Sequence, residues 1–154
     1  MPIALICVAA RAAEPLATVT SVSVVAGQGI VGDRNFGQRQ YPGQNLTLVE
    51  AEEIERFSQQ CGAALDLAAT RRNLVTRGVR LNALVGREFR IGAVSLRGVE
   101  LCEPCATLGR SLAQPGLSAA AVVRALAHRC GLRADVLSSG TIAVGDEILA
   151  QAPG

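Results

Sequence analysis

The chain contains no lysine and no tryptophan, and only one histidine and one methionine among 154 residues. Without lysine it has no side chain to form the Schiff base of a PLP enzyme, and no P-loop lysine. The single histidine, His128, stands late in a helical stretch and suits a helix C-terminus, where partial positive charge is favoured. Nothing around it resembles a nucleophile elbow. Aromatic residues make up only 3%, so a core must come from Val, Leu, Ile and Ala. A net charge of +2 with 13 acidic residues argues against unspecific binding to nucleic acid. Long hydrophobic runs are also missing. Pro15–Gly32 is uncharged for eighteen residues, but its Thr, Ser, Gln and Gly content is too polar for a bilayer. The apolar opening has no basic flank, so no signal peptide is expected. Five cysteines, an odd number without regular spacing, do not form a secreted disulfide framework. The expectation is a cytoplasmic protein with reduced thiols and no membrane partner.

What is present is an apolar fraction of 49% and fifteen arginines, seven of them between Arg71 and Arg97. Guanidinium groups suit bidentate recognition of phosphate or carboxylate, though a solvated face explains such a run equally well. The length predicts a single domain over residues 1–154, large enough to bury roughly 70% of its unfolded surface. Strands are predicted at Ile3–Val8, around Val19–Val25, at Asn45–Val49, Val79–Val85, Glu88–Ile91, Val94–Leu101, Ala134–Leu137 and Glu147–Leu149. Arg97-Gly98 interrupts one alternation and predicts a bulge. Helices are predicted over Glu50–Cys61, stopped by Gly62, and from a Ser118 cap to about Arg129. Many short strands with two clear helices predict a mostly β or α+β, barrel-like fold, not a doubly wound sheet.

Two motifs carry possible chemistry. Gly27-Gln-Gly-Ile-Val-Gly32 matches G-x-G-x-x-G, but the Asp33–Gly43 segment after it cannot be a helix, so the dinucleotide reading fails. Those glycines instead shape a turn presenting Asp33 and Arg34. Cys102-Glu-Pro-Cys105 admits four readings. A structural zinc site needs four ligands, and the only other pair, His128-Arg-Cys130, is poorly spaced. A thioredoxin-type couple belongs after an early parallel strand, and this motif is late. Buried core thiols explain Cys7, Cys61 and Cys130 better than a pair flanking Glu103 and Pro104. The remaining reading is a thiolate ligand or sulfur acceptor in an arginine-lined pocket. There, Thr70-Arg-Arg-Asn73 suits an anionic, hydrogen-bonding ligand.

Taken in order, the blocks Gly29–Arg34, Gln44–Glu50, Thr70–Val79, Leu84–Gly92, Leu101–Cys105, Gly131–Leu137 and Gly140–Asp146 resemble the MOSC domain, named for the C-terminal part of molybdenum cofactor sulfurases. The resemblance implies an antiparallel β-barrel-like fold with a few helices that binds the molybdenum cofactor (Mo-molybdopterin). It implies Cys105 as the metal's thiolate ligand and catalytic residue. Arg71 and Asn73 fall on the family's cofactor-binding Arg-x-Asn, Arg34 more loosely on a further cofactor-binding arginine, and Glu103 on the variable position of the cysteine motif. Two activities follow from the resemblance: reduction of N-hydroxylated compounds, or storage and sulfuration of the cofactor. The first calls for an electron-donor partner, the second for a PLP-dependent desulfurase. Two further readings stay open: a sulfur carrier using a Cys105 persulfide, and a non-enzymatic zinc-binding interaction module. Asn35 departs from the His or Tyr that many stand-alone members place after Gly-Asp-Arg. The amidoxime-reducing members also carry an N-terminal β-barrel domain that completes the cofactor site, for which this chain is too short.

Overall fold

In the structure, a computed structural model, residues 2–62 and 64–151 are described. The chain enters through strand β1 (Ile3–Val8), β2 (Ala17–Val19), β3 (Ser21–Val25), β4 (Gly29–Ile30) and β5 (Leu46–Glu50). Helix α1 (Ala51–Cys61) and strand β6 (Leu74–Thr76) follow, then a 3-10 turn at Leu81–Leu84. Strands β7 (Glu88–Ile91) and β8 (Val94–Leu101) lead into helices α2 (Ala106–Leu112) and α3 (Ala119–Leu126). Strands β9 (Leu132–Val136), β10 (Gly140–Ala143) and β11 (Ile148–Ala150) complete the described part.

Eight strands form one curled sheet in the order β11-β7-β8-β9-β5-β6-β1-β2, and β10-β3-β4 form a second. Apolar residues of both sheets meet in one core: Ile6, Leu46, Leu48, Leu74, Phe89, Leu96 and Leu132 from the large sheet, Val24, Ile30 and Ile142 from the small one. Each such side chain contributes about 1.5–3 kcal/mol of transfer free energy. The alternation of β5 explains how it serves two layers. Leu46 and Leu48 face this core, while Val49 faces outward and packs with Ala51, Ile54 and Val75 under α1. A third apolar cluster, Phe57, Leu108, Val122, Leu126 and Cys130, joins the three helices on that outer side.

The fold is the mixed α+β, barrel-like one expected, with local differences. The pairing of β5 with β6 is parallel, while the other strand ladders are antiparallel. The register shifts between Gly98 and Glu100, as the Arg97-Gly98 interruption predicts. The strand predicted over Val79–Val85 is instead the 3-10 turn, because Leu81 and Leu84, three apart, are the buried residues there. Helix α2, not predicted, directly follows the cysteine motif. The second predicted helix ends at Leu126, short of Arg129. Gly109 lets α2 approach α3: a Cβ there would lie 2.8 Å from the Ala119 carbonyl oxygen. Gly131, at φ +116°, has no room for a Cβ, which would fall 2.0 Å from the Leu48 carbonyl oxygen.

Candidate functional site

Strand β8 ends at Leu101, and the next four residues turn the chain into α2. Cys102 is buried, and its N–H donates to the Gly131 carbonyl at 2.8 Å, so the turn is anchored on β9. Cys105 ends this turn at the N-cap of α2, in extended backbone geometry, with its side chain exposed. The thiol closes no formal cap hydrogen bond. Even so, its pKa is held below the ordinary thiol value, first by the Leu108 N–H; burial, the next largest influence, opposes this, and the Thr107 N–H and the nearby Arg72 charge add to the lowering. Cys130 shows the opposite: burial pushes its thiol up although Arg72 stands beside it. Cys7 is raised likewise, first by burial and then by Asp66. The thiolate is therefore favoured at Cys105 and opposed at both of these buried cysteines.

Arg72 is the residue that sequence reasoning missed. Its guanidinium donates from Nε to the Cys130 carbonyl at 2.9 Å, from Nη2 to the Cys102 carbonyl at 3.0 Å and from Nη1 to the Thr70 carbonyl at 3.2 Å. One planar fork thus ties the cysteine turn to the segments before β6 and before β9. The available signal was its place in Thr70-Arg-Arg-Asn73, where adjacent arginines point different ways.

Arg71 sits at φ +61°, a left-handed conformation uncommon for a residue with a side chain. Its carbonyl accepts from Arg34 Nη2 at 2.9 Å, and its own Nη2 donates to the Glu14 carbonyl at 2.7 Å. Arg34 is fixed in turn by Asp33, whose buried carboxylate accepts from Arg34 Nη1 at 3.1 Å and from the Ala9 N–H at 3.1 Å. The Gly27–Gly32 turn thus presents Arg34 to Arg71. Arg71 lines a recess of about 320 Å³ together with Leu16, Asp66 and Ser111. Ser111 belongs to α2, the helix at whose N-cap Cys105 stands. Just before Arg71, the buried Thr70 hydroxyl has no hydrogen-bond partner.

The other expected ligands are engaged elsewhere. Asn73 is fully buried; its Oδ1 accepts from the Thr47 N–H at 3.1 Å and its Nδ2 donates to the Cys7 carbonyl at 3.1 Å. Its amide pins β1, β5 and β6 together and does not face the recess. Glu103 turns towards the end of α3, where its carboxylate accepts from the His128 N–H and meets His128 Nδ1, both at 2.6 Å. His128 accordingly lies just past the α3 C-terminus, at φ +62°.

The donor set bears on which group this site suits. An exposed low-pKa thiol, two linked arginines and an orphaned buried hydroxyl suit a soft metal carried on an anionic organic ligand. Cys105, Arg71 and Arg34 fit that chemistry; the spent Asn73 and Glu103 side chains do not. Among the described residues no three His, Cys, Asp or Glu side chains gather as a metal site. Cys102 and Cys105 therefore lack the further ligands that structural zinc needs. No described helix is long and apolar enough to cross a membrane.

A curled sheet whose strand β8 leads into an Arg72-braced turn defines a β-rich domain built around a cysteine-bearing turn. The MOSC domain model matches residues 32–149, and the chain belongs to the MOSC domain family. No curated protein matches its sequence. Among solved structures it is similar to the YuaD protein from Bacillus subtilis, with a TM-score of 0.84 at 20% identity, covering 99% of this chain and 96% of that one. It also resembles YiiM from Geobacillus stearothermophilus, with a TM-score of 0.73 at 18% identity over 99% of this chain and 76% of that one. YiiM from Escherichia coli gives a TM-score of 0.69 at 15% identity over 100% and 71% of the two chains. These likenesses establish the fold.

Proposed function

We propose that this protein binds the molybdenum cofactor, with Cys105 as thiolate ligand to the metal and Arg71 and Arg34 holding the anionic pterin. The observation that supports the reading is an exposed Cys105 with a lowered pKa at the N-cap of α2, the helix whose Ser111 lines the recess of Arg71. When bound, the cofactor supplies the redox chemistry. The chain's own residues favour the Cys105 thiolate, orient it through the Arg72-braced turn and offer guanidinium donors to the anion. Asn73 acts through the backbone it pins and does not touch the ligand. Such a protein reduces N-hydroxylated compounds with electrons from a partner protein, or stores and sulfurates the cofactor, in the cytoplasm. The test is molybdenum and pterin content after purification from a host that makes the cofactor. Both are expected at near-stoichiometric levels and together; protein that carries neither counts against the reading.

A sulfur-carrier role is the second reading, favoured by the same exposed thiolate. The Cys105 thiolate attacks the outer sulfur of a desulfurase persulfide, forming Cys105–S–SH while the donor cysteine leaves as thiolate. Intact mass after incubation with a desulfurase and cysteine then rises by about 32 Da, one sulfur atom, and the gain is absent in Cys105→Ala. No gain in the wild type rejects it.

A further inference from the structure

A separate concavity shares no lining residue with the Arg71 recess. It encloses about 710 Å³ between α1, the segment entering the 3-10 turn and the end of α3. Its charged walls are Glu50, Glu53, Arg56, Arg80, Arg124 and Arg129. Four arginines against two carboxylates leave an excess of two positive charges. The carboxylates are already engaged. Glu53 pairs with Arg56 at 2.8 Å and with Arg129 at 3.8 Å. Glu50 accepts from the Leu81 N–H at 3.3 Å, and burial, then the nearby acids Glu53 and Glu52, push its carboxyl up against the pull of that N–H and of Arg80. Asn82 Nδ2 donates to the His128 carbonyl at 2.8 Å and ties two of the walls together. Among the described residues the guanidinium groups of Arg80 and Arg124, which line this cleft, make neither an ion pair nor a hydrogen bond. An arginine on a convex surface is simply solvated. These two line a cavity of a size typical for small ligands, beside carboxylates that do not neutralise them.

We propose that this cleft binds a compact, multiply charged anion, a phosphate- or carboxylate-bearing small molecule, through Arg80 and Arg124. Cys105 does not line this cleft, and the proposal does not depend on the cofactor reading. Titration calorimetry on the full chain at low salt, with pyrophosphate and with citrate as probes, tests it. At least one probe is expected to bind saturably with Kd below about 1 mM. Arg80→Gln combined with Arg124→Gln is expected to weaken that probe at least tenfold, while Arg71→Gln and Cys105→Ala leave it unchanged. Tighter pyrophosphate assigns phosphate chemistry, and tighter citrate assigns carboxylate chemistry. Absence of saturable binding by both probes overturns the proposal. So does a double variant that binds like the wild type, or loss of binding in Arg71→Gln, which would move the anion to the other recess. Both substituted arginines are exposed, and circular dichroism verifies that the variant is folded.

Discussion

Replacing Arg72 with Met keeps much of the side chain's apolar bulk and removes its fork of donors. Four carbonyls then lose a charged partner: Cys130 at 2.9 Å, Cys102 at 3.0 Å, Thr70 at 3.2 Å and Glu103 at 3.4 Å. A hydrogen bond to a charged group contributes about 1.5–3 kcal/mol, and the four share one group, so their losses do not simply add. Water reaches part of the site and recovers part of the loss. The expected destabilisation is about 3 kcal/mol in urea unfolding, or a Tm lower by about 6–12 °C for a domain of this size. The same change removes a positive charge beside Cys105 and loosens the turn that presents it. The alkylation rate of Cys105 should therefore reach half its maximum at a higher pH in the variant. A loss under about 0.5 kcal/mol with an unchanged alkylation profile would refute Arg72 as the brace of this site.

In the wild type, iodoacetamide should modify Cys105 first, with a midpoint below the ordinary thiol value of about 8.5, while Cys7 and Cys130 stay unmodified until unfolding. The linkage has opposite signs for these thiols. Because the Cys105 pKa is depressed, its contribution to stability is present above the ordinary thiol value and is lost as pH falls through its folded-state pKa. Because the Cys7 and Cys130 values are raised, their contribution is present below that ordinary value and is lost as pH rises through theirs. Urea midpoints of Cys130→Ala and wild type should therefore converge at alkaline pH; a constant gap contradicts the assignment. Asn73→Ala strands the Thr47 N–H and the Cys7 carbonyl in the interior and is expected to cost about 2–4 kcal/mol in chemical denaturation; a neutral result would mean that the amide is not structural. Gly131→Ala forces a Cβ against the Leu48 carbonyl at φ +116° and should yield little folded protein in a solubility and circular-dichroism comparison.

Fold class was legible because short β-rich runs and their glycine punctuation survive in the sequence, down to the bulge at Gly98. What failed was arbitration over four to seven residues. Leu81 and Leu84 are three apart, which marks a 3-10 turn, but inside Val79–Val85 they also pass for part of a strand. Gly109 discourages a helix reading of Ala106–Leu112, and only its close approach to Ala119 shows why glycine sits inside that helix. In the site, the family resemblance ranked Cys105 above Cys102, and the structure has Cys102 buried and Cys105 exposed. Arg71, Arg72 and Asn73 could not be sorted. Their directions depend on one left-handed residue, Arg71, which sends Arg72 into the cysteine turn and leaves Asn73 in the core. No spacing rule reports that rotation.

The central claim is that a single thiolate, Cys105, holds the cofactor. Molybdenum and pterin bound per chain, measured side by side in wild type, Cys102→Ala and Cys105→Ala from the same cofactor-producing host, tests it most directly. The account predicts loading in the wild type and in Cys102→Ala, with loss of at least about tenfold in Cys105→Ala, the factor expected when 1.4 kcal/mol or more of binding free energy disappears. Equal loading of the two variants would contradict it.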